Sequence, residues 1–234
     1  MLSMLLQINV ADEAANVADA AGEAQELSLS LWDLALKGGW IMIPILLLSV
    51  IAVYIFFERL FAIQRAAKDD ASFMNRIKEN IAAGKVEDAL SYCRQIDTPV
   101  SRMIEKGINR IGRPLNDINA AIENVGKLEV SKLEKNLATL ATTSGAAPMI
   151  GFLGTVIGMI RAFYDMANAG ANIDVGLLSN GIYTAMVTTV AGLIVGIVAY
   201  LAYNLLVARV EKVVNQLEAR ATEFMDLLYE PASN

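Results

Sequence analysis

Long runs without charge alternate along this chain with stretches whose apolar residues recur every three or four positions. The longest run, Gly181–Leu206, reads GIYTAMVTTVAGLIVGIVAYLAYNLL and holds no Asp, Glu, Lys, Arg or His over 26 positions. As a helix it is about 39 Å long, more than the roughly 30 Å hydrocarbon core of a bilayer. It predicts a membrane-spanning helix. Trp40–Phe57, WIMIPILLLSVIAVYIFF, is a second charge-free run, about 27 Å long as a helix. Trp40 and Tyr54 suit interfacial positions, and Pro44 lies near the start, where a proline costs least. Glu58-Arg59 ends that run. A third, Leu137–Ile160, is charge-free but carries many small and polar residues, from Thr139 through Gly145 and Pro148 to Gly158.

Between these runs the pattern turns amphipathic. Residues 72–96 predict two short helices with a break at Gly84. Thr98 is placed to cap a further helix that has Pro99 at its first position and stops near Gly112-Arg113-Pro114. A long helix is predicted from Asn116 or Asp117, with Ile118, Ile122, Val125, Leu128 and Leu133 on one face, running straight into the span that begins at Leu137. Asp165–Ser179 reads as a polar turn. The tail, 207–234, predicts an amphipathic helix with Val210, Val213, Val214, Leu217 and Ala221 on one side. At the other end, residues 1–39 carry six acidic residues against Lys37. Their apolar start is short and lacks a basic flank, which favours a flexible or surface-lying leader and leaves a signal peptide as the weaker alternative. Leu27–Leu36 predicts a short amphipathic helix.

Composition narrows the function. The chain has 234 residues, 55% of them hydrophobic, and fits a polytopic membrane protein with a sizeable aqueous part. A net charge of −6 argues against a nucleic-acid partner. There is no His and a single Cys, Cys93. Cys/His zinc sites, an internal disulfide and a Cys–His nucleophile are all excluded. No loop has carboxylates spaced for a metal, and no cofactor motif is present. Of the 19 Lys and Arg residues, 14 fall in residues 58–136 and 3 in the tail. The positive-inside rule therefore puts both segments in the cytoplasm, with the leader and the 165–178 turn outside.

Inside the spans, Gly154/Gly158 and Gly192/Gly196 have the spacing that lets helix backbones approach closely, and packing is the first explanation for them. Pro148 removes one backbone hydrogen bond. The threonines carry two readings. Thr155, Thr184, Thr188 and Thr189 either bond back to their own helices or present hydroxyls to a water-containing cavity. Spans two and three lack Asp, Glu, His and Lys, the groups that relay protons at membrane depth. A proton pathway would thus need a titrating group from another protein.

The segments APMIGFLGTVIGMIRAF (147–163) and GIYTAMVTTVAGLIVGIVAYLAYN (181–204) resemble the ExbB/TolQ/MotA proton-channel family, closest to its ExbB branch. Matching positions include Pro148, Gly151, Gly154-Thr155, Gly158, Gly181, Thr189 and Gly192. Glu58-Arg59-Leu60 resembles the family's motif after its first span. The resemblance implies an all-α inner-membrane protein. Transmembrane helices at 40–57, 137–164 and 179–206 would join a periplasmic leader (1–39), a cytoplasmic helical domain (58–136), a periplasmic turn (165–178) and a cytoplasmic C-terminal helix (207–234). It implies a homopentamer whose second and third spans line a pore holding an ExbD/TolR-like single-span partner with a membrane Asp, with room for a TonB-like third component. Thr155 and Thr189 would face that Asp, with Thr184 and Thr188 beside them. Pro148, Gly151, Gly154, Gly158, Gly181, Gly192 and Gly196 would serve helix packing and the pore. Glu58 and Arg59 would lie at an interface. The implied activity is a proton-driven motor subunit for energised outer-membrane transport. A TolQ-like envelope-maintenance motor or a non-conducting scaffold are the alternatives, and no enzyme is implied. One departure stands out: many ExbB members have Glu where this chain has Thr184.

Overall fold

A computed structural model describes residues 38–68, 72–168 and 175–229. Among these residues there are helices and turns but no strand. After a 3-10 turn at Gly39–Ile41 come seven α-helices: α1 (Met42–Ala66), α2 (Phe73–Ala82), α3 (Val86–Ile96), α4 (Pro99–Ile108), α5 (Leu115–Glu134), α6 (Leu137–Asn168) and α7 (Val175–Tyr229). Three helical stretches are long and apolar enough to cross a membrane, and α1, α6 and α7 carry them. Their flanks expose Leu46, Val50, Phe152, Ile160, Val190, Ile197 and Leu201. That much contiguous apolar surface suits lipid or another membrane protein, not water. The predicted short helix at Leu27–Leu36 lies outside the described residues.

The amphipathic helices form where the local signals place them. Gly84, at φ +72°, breaks the chain between α2 and α3. Only glycine takes that conformation without strain. Thr98 caps α4: its Oγ1 accepts from the Ser101 amide at 3.2 Å while Ser101 Oγ accepts from the Thr98 amide at 2.9 Å. The helix opens with Pro99, whose missing N–H is no loss there. Cys93 is buried against this layer, and burial followed by the nearby Glu105 pushes its thiol up to about 12.

Two features differ from the sequence expectations. The helix from Leu115 does not run straight into the second span. It stops at Glu134, and Asn136 takes the left-handed conformation at φ 65° before α6 begins. Asn tolerates that region better than most residues. Leu128, expected on the buried face, is exposed, because 100° per residue carries it off the stripe that holds Ile118, Ile122 and Leu133. Helix α6 extends to Asn168 and α7 starts at Val175, so helix takes in both ends of the segment read as a polar turn.

The third span and the tail are one helix. α7 has 55 residues, about 82 Å at 1.5 Å per residue. No glycine or proline lies between Gly196 and Pro231 to interrupt it. It packs against α1, α2, α4, α5 and α6, and so forms the spine of the molecule. Its far half buries Val210, Val213, Leu217 and Phe224 at helical spacing. Gly107 lets α4 close onto Phe224; a Cβ there would fall 2.6 Å from the ring.

Candidate functional site

Helices α6 and α7 pair antiparallel along a seam of small residues. Ala162 meets Gly181, Gly158 meets Ala185, Gly154 meets Thr188, Gly151 meets Gly192, and Pro148 meets Gly196. Each step of three or four along one helix is matched by a step of three or four back along the other. The fit is close. A Cβ at Gly158 would lie 2.7 Å from Cβ of Ala185, one at Gly181 2.6 Å from Cβ of Ala162, and one at Gly192 2.5 Å from the Ala147 carbonyl. These positions exclude any larger residue unless the backbones part. The glycines singled out in the sequence therefore lie in one seam within a single chain, Gly151 against Gly192 and the others against Ala, Thr or Pro. Ala147, Ala162 and Ala185 belong to the same seam. The sequence reading missed Ala147 and Ala162, although both extend the four-residue spacing.

Polar groups gather at the middle of the seam. The Gly151 carbonyl accepts from Thr189 Oγ1 at 2.9 Å across the helix pair. Thr188 Oγ1 donates to Ala185 on its own helix at 2.7 Å, with Gly151 a longer second acceptor at 3.3 Å. Thr188 is buried where Gly154 has no side chain. Thr155 is half-buried, and its hydroxyl donates to Phe152 on its own helix at 2.6 Å. Thr184 is half-buried one turn before Thr188. Thr188 and Thr189 are thus brought together on one carbonyl, and Thr155 and Thr184 stand apart from it. The helix continues through Pro148, whose ring takes the place of an amide donor. The Ser144 carbonyl that this leaves free faces Gly196, the residue type that lets a Cα hydrogen approach it.

At the end of α1, Arg59 is buried and Glu58 half-buried. The two form an ion pair. Arg59 Nη1 also donates at 3.0 Å to the carbonyl of Lys132, in the last turn of α5, where carbonyls lack helical partners. A cation there opposes the negative end of the helix dipole. Farther along α5, Glu129 is buried. It accepts from Arg102 Nη2 at 2.6 Å and Lys132 Nζ at 2.6 Å. Arg102 Nη1 reaches Asp97 Oδ1 at 2.5 Å. Burial pushes the Glu129 carboxyl up, but Arg102 and Lys132 together hold it below its ordinary range. This network ties α3, α4 and α5 together.

The chemistry available follows from these groups. Among the described residues, no cluster of carboxylates or thiols could hold a metal. With its thiol pushed up to about 12 by burial, Cys93 stays protonated at neutral pH and is a poor nucleophile. The membrane pair offers hydroxyls and backbone carbonyls, which can order water or accept a hydrogen bond but do not titrate.

The matched family then decides the reading. Residues 95–219, more than half of the chain, match the MotA/TolQ/ExbB proton channel family. The chain belongs to that family. The match takes in the whole α6–α7 seam. An ExbB homolog of Methanothermobacter thermautotrophicus is 30% identical over 176 residues, 74% of this chain and 62% of that protein. The chain thus spans less than two thirds of that relative's length. The Tol-Pal system protein TolQ of Pseudomonas aeruginosa is 27% identical over 216 residues, 86% of this chain and 93% of TolQ. The biopolymer transport protein ExbB of Neisseria meningitidis is 25% identical over 195 residues, covering 77% of this chain and 87% of ExbB. In this MotA/TolQ/ExbB chain, the glycine and threonine positions of the resemblance map onto a single helix pair.

Proposed function

We propose that this chain is an inner-membrane motor subunit, not an enzyme, that converts proton motive force into work in the cell envelope. Five copies would surround two copies of a single-span ExbD/TolR-like partner. The N-terminal leader and the α6–α7 turn would face the periplasm, and α2–α5 with the far half of α7 the cytoplasm. The observation that carries this reading is the convergence of two threonines on the Gly151 carbonyl in a seam without carboxylates. Thr189 Oγ1 gives its proton to Gly151, so its lone pairs remain as acceptors. A protonated carboxyl from a partner helix is a suitable donor to them. A carboxylate supplied in this way would provide the titrating group that the pair lacks. Thr155 lies on the neighbouring helix, where a second hydroxyl can order water, and Thr184 extends the polar stripe in place of a Glu. Energised outer-membrane transport is the proposed output. The similarity to TolQ over nearly its full length supports envelope maintenance as the alternative, with the same motor.

The test is proton flux in vesicles containing the chain with its candidate partner, alongside native mass spectrometry of the complex. Thr189→Val should keep the assembly and cut flux at least tenfold, and Thr189→Ser should restore most of it. Flux that survives the Val variant would remove the hydroxyl from the pathway. Undiminished work after collapse of the proton gradient would favour the scaffold reading.

A further inference from the structure

Away from the seam, α1 and α7 enclose an apolar groove of about 490 Å³. Its walls include Ser49, Ala52 and Phe56 from α1 and Val198, Ala202 and Leu205 from α7. Ser49 is the only polar residue lining it. Small side chains at Ser49, Ala52, Ala199 and Ala202 open the floor while larger ones form the rims. The walls run from Ser49 to Phe57 and from Ile194 to Leu205, about 12 and 17 Å at 1.5 Å per residue. That is roughly half of the 30 Å hydrocarbon core. A transmembrane helix from a partner would need a groove through the whole thickness. A groove one leaflet deep matches an acyl chain.

Both walls end at the same membrane boundary, where charge begins with Glu58 on α1 and Arg209 on α7. Arg209 lies four residues past Leu205, on the stripe that lines the groove. It makes no ion pair or hydrogen bond among the described residues, whereas Glu58 is already engaged by Arg59. A guanidinium at the headgroup level directly beyond an apolar slot is complementary to a phosphate.

We propose that the α1–α7 groove binds one phospholipid per chain, with an acyl chain along Ala52 and Ala202 and the phosphate at Arg209. The bound chain fills the space that small residues leave between α1 and the spine helix. It thereby sets how firmly the first span is held to the pair that forms the seam. The proposal requires only that α1 and α7 cross a bilayer; the proposed orientation adds that the lipid sits in the cytoplasmic leaflet.

The experiment is native mass spectrometry of the full-length protein, washed free of lipid in mild detergent and titrated with dioleoyl phosphatidylglycerol. One lipid should be retained per chain. Ala202→Leu, which fills the groove, and Arg209→Gln, which removes the headgroup partner, should each weaken retention at least fivefold. Lys212→Gln, an exposed charge one turn farther on, should leave it unchanged. Dioleoylglycerol, which lacks the phosphate, should bind no better to wild type than phosphatidylglycerol does to Arg209→Gln. Wild-type retention in both Ala202→Leu and Arg209→Gln would overturn the proposal. So would equal loss in Lys212→Gln, which would mean diffuse charge attraction. A change in the number of chains rather than of lipids in Ala202→Leu would also overturn it, by giving the groove to a neighbouring copy.

Discussion

At the scale of single residues, the seam distinguishes glycines that must be glycine from one that need not be. A Cβ at Gly192 would press on the backbone of Ala147 and Gly151, with only 2.5 Å to the Ala147 oxygen. A backbone cannot rotate aside as a side chain can. Gly192→Ala should therefore destabilise the protein by about 1–3 kcal/mol, the usual cost of overpacking. Gly145 is on the same helix as Gly151, but a Cβ there would meet nothing within 4 Å. Gly145→Ala should leave the fold intact or stabilise it by about 0.5–1 kcal/mol, since glycine inside a helix carries an entropic cost. Thermal unfolding in one detergent would measure both, and equal effects would sink the distinction. Glu129 makes a second prediction at this scale. Its carboxyl is held below the ordinary value, so its stabilising contribution is present above the unfolded carboxylate pKa of about 4.3 and fades as pH falls below it. Wild type and Glu129→Gln should differ most near neutral pH and converge in acid. Melting curves between neutral pH and pH 3 that stay parallel would show that the Arg102–Glu129–Lys132 network does not contribute through that charge.

At the scale of elements, the joint between α5 and α6 depends on a contact distant in sequence. Arg59 reaches the carbonyl of Lys132 from another helix, and Asn136 supplies the left-handed turn. Replacing Arg59 with Met should remove a charge-assisted hydrogen bond worth about 1.5–3 kcal/mol. Hydrogen exchange should then accelerate in residues 133–140 more than in α2 or α4, and uniform acceleration would argue for a general loss of packing. This joint also shows where sequence reading stops. The three spans, the Gly84 break and the Thr98 cap were legible because each depends on local patterning or one backbone conformation. The stop at Glu134 was not. Lys135 and Asn136 are ordinary helix-compatible residues by pattern, and the partner that holds the bend is Arg59, whose bond to the Lys132 carbonyl spans 73 positions. The glycine stripe was visible as a packing signal, but its partner could not be read from spacing. The structure pairs it within the chain, and Ala147 and Ala162 complete it because alanine is small enough to share the role. For the threonines the period showed a polar face, while the choice of Gly151 as the shared acceptor needed the second helix.

At the scale of the whole molecule, one helix connects the candidate proton site to the far end of the amphipathic helices. Thr188 and Thr189 lie in the same uninterrupted α7 as Phe224. The exposed position Ala208 lies just beyond the span, so a proline there would break backbone continuity at a cost of about 3 kcal/mol without touching the seam. Ala208→Pro should preserve proton flux in vesicles with the partner but abolish the coupled work in cells. If both survive, continuity of α7 is dispensable. The small-residue seam holds α6 to the membrane half of this helix, and the far half holds α4 and α5 through Phe224 and Leu217. The helix is therefore a lever arm that amplifies displacement. From Leu206 to Tyr229 it projects about 35 Å, so a tilt of about 5° at the membrane would carry its tip about 3 Å. That is enough to change which side chains touch at the far end, although no atom beside Gly151 need move by more than a fraction of that distance.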